Sequence, residues 1–327
     1  MREIFEEDAV SVADEAQDGR PAAVLIAGPT ASGKSALGLA LARAFDGVVI
    51  NTDSMQVYSD LRVLTARPSP AEEEQAPHRL YGNVDGAVNF SVGHFQRHAA
   101  AILNEADAAG RLPIFVGGTG LYFRALDEGL SDLPEVPEAI RDAIRTEAEG
   151  RPTEALHALL AERDPESAAR LRPSDRMRVM RALEIFAATG RPIGSFHESR
   201  QPGPLGGRPL LKFFLAIERE ELRRRIDTRF LTMMQDGALD EVAALRAKSL
   251  DPLLPVMRAH GVPGLIAHLD GALSLDEAVQ RGQGDTRRYA KRQHTWFRHQ
   301  MGADWHWLAP EEARALAFSR LSAPAGR

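Results

Sequence analysis

AAVLIAGPTASGKSALGLALARAF, residues 22–45, decides the fold. Its first part, AAVLIAG (22–28), is apolar without alternation and ends in glycine, as expected of a strand buried on both faces. Residues 34–45 then carry apolar side chains at helical spacing. Between them, Gly28, Pro29, Thr30, Ala31, Ser32, Gly33, Lys34 and Ser35 fit G-x-x-x-x-G-K-[ST] in the strand-to-helix setting that gives the pattern its meaning. The glycines let the backbone wrap so that N–H groups converge on an anion, and the helix start adds partial positive charge. Lys34 can neutralise phosphate oxygens and the Ser35 hydroxyl can ligate Mg²⁺. A glycine-rich turn without a ligand is the plainer alternative, and the complete motif in its context argues against it. The cradle suits any diphosphate and does not name a reaction.

Outward from this unit, GVVIN (47–51) reads as a second buried strand, 68–79 as a surface loop or irregular crossover, 92–110 as a helix and LPIFVGG (112–118) as a third strand. This order predicts an α/β fold with a doubly wound parallel sheet. Residues 134–190 are helical in pattern throughout, with breaks at 150–152, Pro165 and Pro173, and 207–218 returns to an apolar β-rich run. An all-helical insertion is therefore expected over 135–202, within a core of 21–134 and 203–327, behind an acidic tail at 1–20. The remainder reads as helices at 219–235, 238–248 and 274–301.

The formal net charge of −6 rules out a basic field over the whole molecule, so any nucleic acid must be met by local basic patches. The 327 residues contain no cysteine, which excludes disulfides and thiolate zinc sites and fits the cytoplasm. No run of eighteen apolar residues suggests a membrane span.

The strand ends supply the candidate chemistry. In a parallel sheet the C-terminal ends of the strands face the ligand crevice. LPIFVGGTG (112–120) brings Thr119 there but lacks the carboxylate that usually helps an ATPase hold its metal. The carboxylate instead follows the second strand, as Asp53 in NTDSMQVY (51–58), with Ser54, Met55 and Gln56 behind it. Asp53 reads as a general base, with a turn or cap residue as the alternative. In LRRRIDTRF (222–230), Arg225 and Arg229 share a helix face and could close on a diphosphate, or could be a solvated face balanced by Glu218, Glu220, Glu221 and Asp227. In 284–300, Arg287, Arg288, Lys291, Arg292 and Arg298 read as phosphate contacts, whereas Tyr289, Trp296 and Phe297 read as core. His94, His98 and His157 have no ligand spacing, and Met233 and Met234 read as packing residues.

GPTASGKS, DSMQVY, VGGTGLYFRAL (116–126), RMRVMRALEI (176–185) and TRRYAKRQHTWFR (286–298) occur in that order. Together they resemble the bacterial tRNA dimethylallyltransferase family over about 21–300. The resemblance implies a P-loop NTPase-like core and transfer of a dimethylallyl group from its diphosphate to the exocyclic nitrogen of the adenine just 3′ of a tRNA anticodon, with Mg²⁺. It implies that Gly28 to Ser35, with Arg225 and Arg229, hold the diphosphate, that Asp53 accepts the amine proton, and that Thr119 lies beside the base. It further implies tRNA contacts at Asp53 to Gln56 and Thr119, at Arg141, at Met177, Arg178, Val179, Met180 and Arg181, and at Arg258, Ala259, His260, Gly261, Val262 and Pro263. The family often has A-I-G-Y-x-E where this chain has Ala259 to Gly264, so an aromatic expected there is missing. A cytoplasmic monomer, with tRNA and dimethylallyl diphosphate as partners and no membrane, is the resulting expectation. A small-molecule kinase using ATP and a non-catalytic RNA-binding protein with a relict P-loop are the rivals.

Overall fold

A computed structural model describes residues 20–196 and 202–323 of the chain; apart from Arg20, the expected acidic tail lies outside the described residues. The first half of the core runs β1 (Ala23–Ala27), α1 (Lys34–Ala44), β2 (Gly47–Asn51), α2 (Pro70–Glu73), β3 (His78–Arg79), α3 (Val92–Ala108), β4 (Leu112–Gly117) and α4 (Gly120–Asp127). Four helices follow: α5 (Glu138–Ala148), α6 (Thr153–Arg163), α7 (Pro165–Arg170) and α8 (Arg176–Thr189). The core resumes with β5 (Leu210–Leu215), α9 (Arg219–Gln235), α10 (Ala238–Ala247), α11 (Val262–Leu269), α12 (Leu275–Gln300), β6 (Trp305–Leu308) and α13 (Pro310–Ser322).

The described parts of Met1–Asp127 and Pro204–Arg327 form one compact unit, and those of Glu128–Gly203 a second. In the first unit the six strands are all parallel, in the order β3-β2-β4-β1-β5-β6. Each of the four central strands is buried on both faces, which explains their unbroken apolar runs. On one face Leu25, Phe115 and Phe214 pack with Phe95, Phe123 and Phe297 from α3, α4 and α12. On the other, Val24, Ile26 and Phe213 pack with Leu37 and Leu41 of α1 and Ala317 of α13. Helices thus cover both faces, and all strand C-terminal ends open at one edge. A third cluster joins α9, α10, α11 and α12 to the 57–64 segment through Val57, Leu61, Phe230, Val242 and Leu265.

Two short edge strands depart from the sequence reading. Residues 68–79, expected as irregular, hold a helical turn capped by Ser69 and the two-residue strand β3. Beyond α12 the chain adds β6 beside β5, four residues, past the last helix expected and not anticipated as a strand. Both gain their ladder from a neighbour already in place, and neither is long enough to show its own period.

The second unit closes its own core around Ile144, Leu156, Leu160, Val179 and Leu183. Its helices stop where the sequence breaks: Gly150 has φ +68°, Asp164 caps α7 ahead of Pro165, and Gly190 ends α8 in the left-handed conformation.

Candidate functional site

The loop after β1 bends through Ala31 at φ +64° and Gly33 at φ +89° and enters α1, which has no acidic residue in its first turn and no side-chain cap. Its leading N–H groups are therefore open to an anion. Lys34 folds back so that Nζ donates to Pro29 O at 2.7 Å. The Ser32 hydroxyl is buried in the same loop with no hydrogen-bond partner among the described residues.

Asp53 is fixed from both sides by Asn51, a fully buried residue at the end of β2. The Asp53 N–H donates to Asn51 Oδ1 (2.8 Å), and Asn51 Nδ2 donates to Asp53 O and Leu80 O (2.9 Å each). Asp53 Oδ1 accepts the Met55 N–H at 2.9 Å, an Asx turn that sets the carboxylate's direction and leaves Oδ2 outside the turn. The turn named as the alternative for Asp53 is present, and it leaves one carboxylate oxygen outside its hydrogen bonding.

Thr119, just past β4, accepts the Ser54 N–H on Oγ1 (3.0 Å) and donates to Ser54 Oγ (3.3 Å). Its N–H donates to Thr52 O at 3.1 Å. The Tyr289 hydroxyl lies near the side chains of Thr119 and Gln293. Gln293, buried on α12, accepts the Thr30 N–H on Oε1 (3.2 Å) and donates from Nε2 to Gly118 O (2.9 Å). One amide therefore ties the phosphate-type loop to the loop after β4. A Cβ on Gly118 would lie 2.0 Å from that Nε2, so this contact requires glycine.

These elements surround a pocket that is partly open to solvent. Arg229 and His260 both feel the charge of Asp53, and the three share the lining with Thr30 and Ala31 of the loop after β1; the rest of the wall is largely apolar, with Met55, Leu64, Ile226, Phe230 and Met233. Charges converge there. Burial pulls Lys34 down to about 7, against the opposing pull of Asp53 and with the help of Arg229. Burial also lowers Arg229, again opposed by Asp53. Tyr81, Tyr122 and Tyr289 are all pushed up, by burial first and by the Asp53 charge next, and stay neutral phenols. His260, 4.5 Å from the Tyr289 ring, is lowered by burial and then by Arg292.

The residues expected at the site are not all used alike. Asp53, Met55, Arg229, Ala259 and His260 line the pocket, while Ser54 and Thr119 brace it from behind. The Gln56 amide, implied by the resemblance as a tRNA contact, donates to Thr65 O (2.9 Å) and Ala66 O (3.0 Å) and holds the segment that follows. Arg225 is exposed and held by Glu221 at 2.6 Å, outside the pocket. Arg287 pairs with Asp227, and Arg288 with Asp285. Gly261 and Val262 are buried, whereas Arg258 and Pro263 are exposed. His94 caps α3 with Ser91, and His157 meets the carbonyls of Ala168 and Leu171, both structural roles.

Within the second unit, Met177 is 72% exposed, the Arg178 side chain 73% exposed, and Arg181 leans on Glu184 at 3.4 Å. Val179 is core and Met180 packs on it. Arg176 caps the C-terminus of α5, giving both terminal nitrogens to the Arg151 and Ala148 carbonyls at 2.8 Å. Arg141 has its Nε buried without a partner among the described residues.

Sequence reading missed Tyr289 and Gln293. They stand four apart on α12 and so share one face, a spacing visible in YAKRQ, but the aromatic was taken as core. Trp296 and Phe297 do pack in the core as expected.

The sequence pattern of the IPP transferase family matches residues 56–300. A tRNA dimethylallyltransferase of Methylorubrum extorquens (strain PA1) is 77% identical over 96% of this chain and 99% of its own length. A tRNA dimethylallyltransferase of Rhodopseudomonas palustris (strain ATCC BAA-98 / CGA009) is 59% identical over 94% of this chain and 96% of its own. Among solved structures, the tRNA isopentenylpyrophosphate transferase of Bacillus halodurans superposes with a TM-score of 0.64 at 33% identity, covering 91% of this chain and 96% of that one. A eukaryotic dimethylallyltransferase acting on tRNA superposes with a TM-score of 0.73 at 29% identity, over 86% of this chain and 71% of its own. With three quarters of its length inside the family pattern and near full-length relatives at such identity, the chain belongs to the IPP transferase family.

Proposed function

We propose that the chain transfers a dimethylallyl group from dimethylallyl diphosphate to the exocyclic N6 of the adenosine immediately 3′ of the anticodon in tRNAs, releasing diphosphate. The observation that carries this reading is a single pocket that joins an anion cradle and a directed carboxylate to an apolar wall. Such a wall suits a hydrocarbon tail attached to a diphosphate; a kinase would instead place a polar phosphoacceptor there.

An aromatic amine is a weak nucleophile, so the chain must position it, remove its proton and stabilise the departing charge. N6 attacks C1 of the allylic group as the C1–O bond breaks, and the electron pair leaves on the diphosphate. Asp53 takes the N6 proton, through the oxygen that lies outside the Asx turn. Lys34, Arg229 and the loop N–H groups face the growing negative charge, where preorganised donors are most effective. The lone Ser32 hydroxyl supplies a further donor. Among the described residues no group of three or more carboxylates and histidines could cage a metal, while Ser35 offers an exposed hydroxyl at the helix start. That donor set fits a Mg²⁺ carried mainly by phosphate oxygens, with Ser35 as its protein ligand, where the ion would neutralise the leaving group.

The adenosine must leave its stack to reach Asp53, which costs least in a hairpin loop. Tyr289, which lines the pocket with Asp53, is a polar group for the base, and Thr119 braces Ser54 behind it. Exposed Met177 and Arg178, with Arg181, offer a surface for RNA backbone on the second unit. No helix among the described residues is long and apolar enough to cross a membrane. The reading takes the enzyme as a cytoplasmic monomer.

The direct test is purified protein with labelled dimethylallyl diphosphate, Mg²⁺ and bulk tRNA, followed by nucleoside analysis. Label in N6-dimethylallyladenosine is expected; RNA left unlabelled, with a parallel reaction transferring label from ATP to a small molecule, would sink the proposal.

The lowered Lys34 makes donor binding pH-dependent. Free Lys34 sits at about 7, and a bound diphosphate favours its charged form, so binding above pH 7 must take up a proton. Affinity is expected to fall as pH rises through 7. Calorimetry in buffers of different ionisation enthalpy should read an uptake of about one proton at pH 8, lost in Lys34→Met. Equal proton uptake in the variant would place the titrating group elsewhere.

Replacing Arg178 and Arg181 together by alanine should weaken tRNA binding and reduce its salt slope by about two units, one per phosphate contact. Donor affinity should not move. Wild-type tRNA affinity across several salt concentrations would make this helix structural only.

A further inference from the structure

We infer that Phe230 sets the length of the alkyl group that the enzyme transfers, admitting a five-carbon tail and refusing a ten-carbon one. The inference rests on the proposed reaction, in which the polar lining of the pocket holds the diphosphate. From there the tail must run along the apolar wall, where Leu64, Ile226, Phe230 and Met233 lie. Two threonines also line this wall, but Thr65 Oγ1 donates to Leu61 O (2.6 Å) and Thr286 Oγ1 donates to Gly282 O (2.8 Å). Both hydroxyl protons are therefore spent on backbone, and the wall suits hydrocarbon.

Phe230 is the bulkiest apolar side chain of this wall and is only 3% exposed. Its ring is seated in a slot made by missing side chains. A Cβ on Gly282 of α12 would lie 2.2 Å from Phe230 Cζ, and one on Gly261 3.1 Å from the same atom. The ring edge thus rests directly on the backbone of α12 and of the turn before α11. Around it the third core cluster is buried, with Leu64, Val262 and Ala278 among its members. A close-packed interior gives such a ring no free volume to move into. A second isoprene unit would have to displace it, and forcing extra methylenes into a filled site is costly.

The test is a competition in one tube. Dimethylallyl and geranyl diphosphates are mixed with tRNA, and both prenylated nucleosides are quantified. The product ratio gives the ratio of kcat/KM values and does not depend on how much of a variant is folded. Wild type should favour the five-carbon donor by at least about a hundredfold, and Phe230→Ala should lower that preference by at least about tenfold. Phe230→Leu, a milder change that guards against loss of the fold, should lie between. Gly282→Ala works in the opposite direction. Its Cβ pushes the ring into the pocket, so KM for dimethylallyl diphosphate should rise while KM for tRNA stays put. An unchanged donor preference in both Phe230 variants, or a wild type indifferent to tail length, would overturn the inference. Absence of dimethylallyl transfer by the wild type would instead overturn the reaction on which it rests.

Discussion

Lys34 and Arg229 are both drawn out of solvent beside Asp53, and that carboxylate favours the charged form of each, with Glu72 adding to its effect on Arg229. Withdrawing two cations from water is costly unless an opposite charge stands close. Here the opposing charge is incomplete: Lys34 still falls to about 7, so the site has more cationic capacity than Asp53 alone can satisfy. In the proposed reaction an incoming diphosphate would complete the balance: its negative charges would hold the two cations and leave Asp53 to accept a proton. The same arrangement would then both draw in the donor and prepare the base, with a coupling made strong by the low local dielectric of a buried site.

Everything that holds Asp53 in place comes from the sheet. Asn51 ends β2 and grips the Asp53 backbone on both sides, and the parallel register puts β2 beside β4, so that Thr119 reaches Ser54. Gln293 then ties the loop after β1 to the loop after β4. Its helix is anchored four residues on by Phe297, which packs against Phe123, Phe214 and Trp305 at ring distances of 5.8, 5.0 and 5.6 Å. The aromatic core of one sheet face is thereby connected to the geometry of the site.

Much of this was legible because it depends on local chemistry. The loop motif between an apolar run and a helical period fixed the first strand and helix, and breaks at Pro165 and near Gly150 fixed helix ends in the second unit. Helix 219–235 falls where its periodicity ends. What sequence could not supply was set by partners distant in the chain. Strands of two and four residues take their pairing from β2 and β5. Tyr289 faces the pocket and not the core because of how α12 docks on the sheet. Gln56 is satisfied by carbonyls nine and ten residues away, and Arg176 by a helix end twenty-five or more residues back. Arg225 is the opposite case. Its Glu221 partner four residues earlier was visible at the helix spacing that favours such a pair.

The central claim is that Asp53 acts in the chemical step, and Asp53→Asn tests it most directly because the amide keeps the shape and removes the base. Single-turnover rates would be measured with donor and tRNA both saturating, so that weakened binding cannot masquerade as slow chemistry. The account predicts a rate lower by about two to four orders of magnitude, the span attributed to a positioned general base. A variant whose single-turnover rate matches wild type, with its only defect in donor affinity, would show that Asp53 merely balances the cations around the diphosphate.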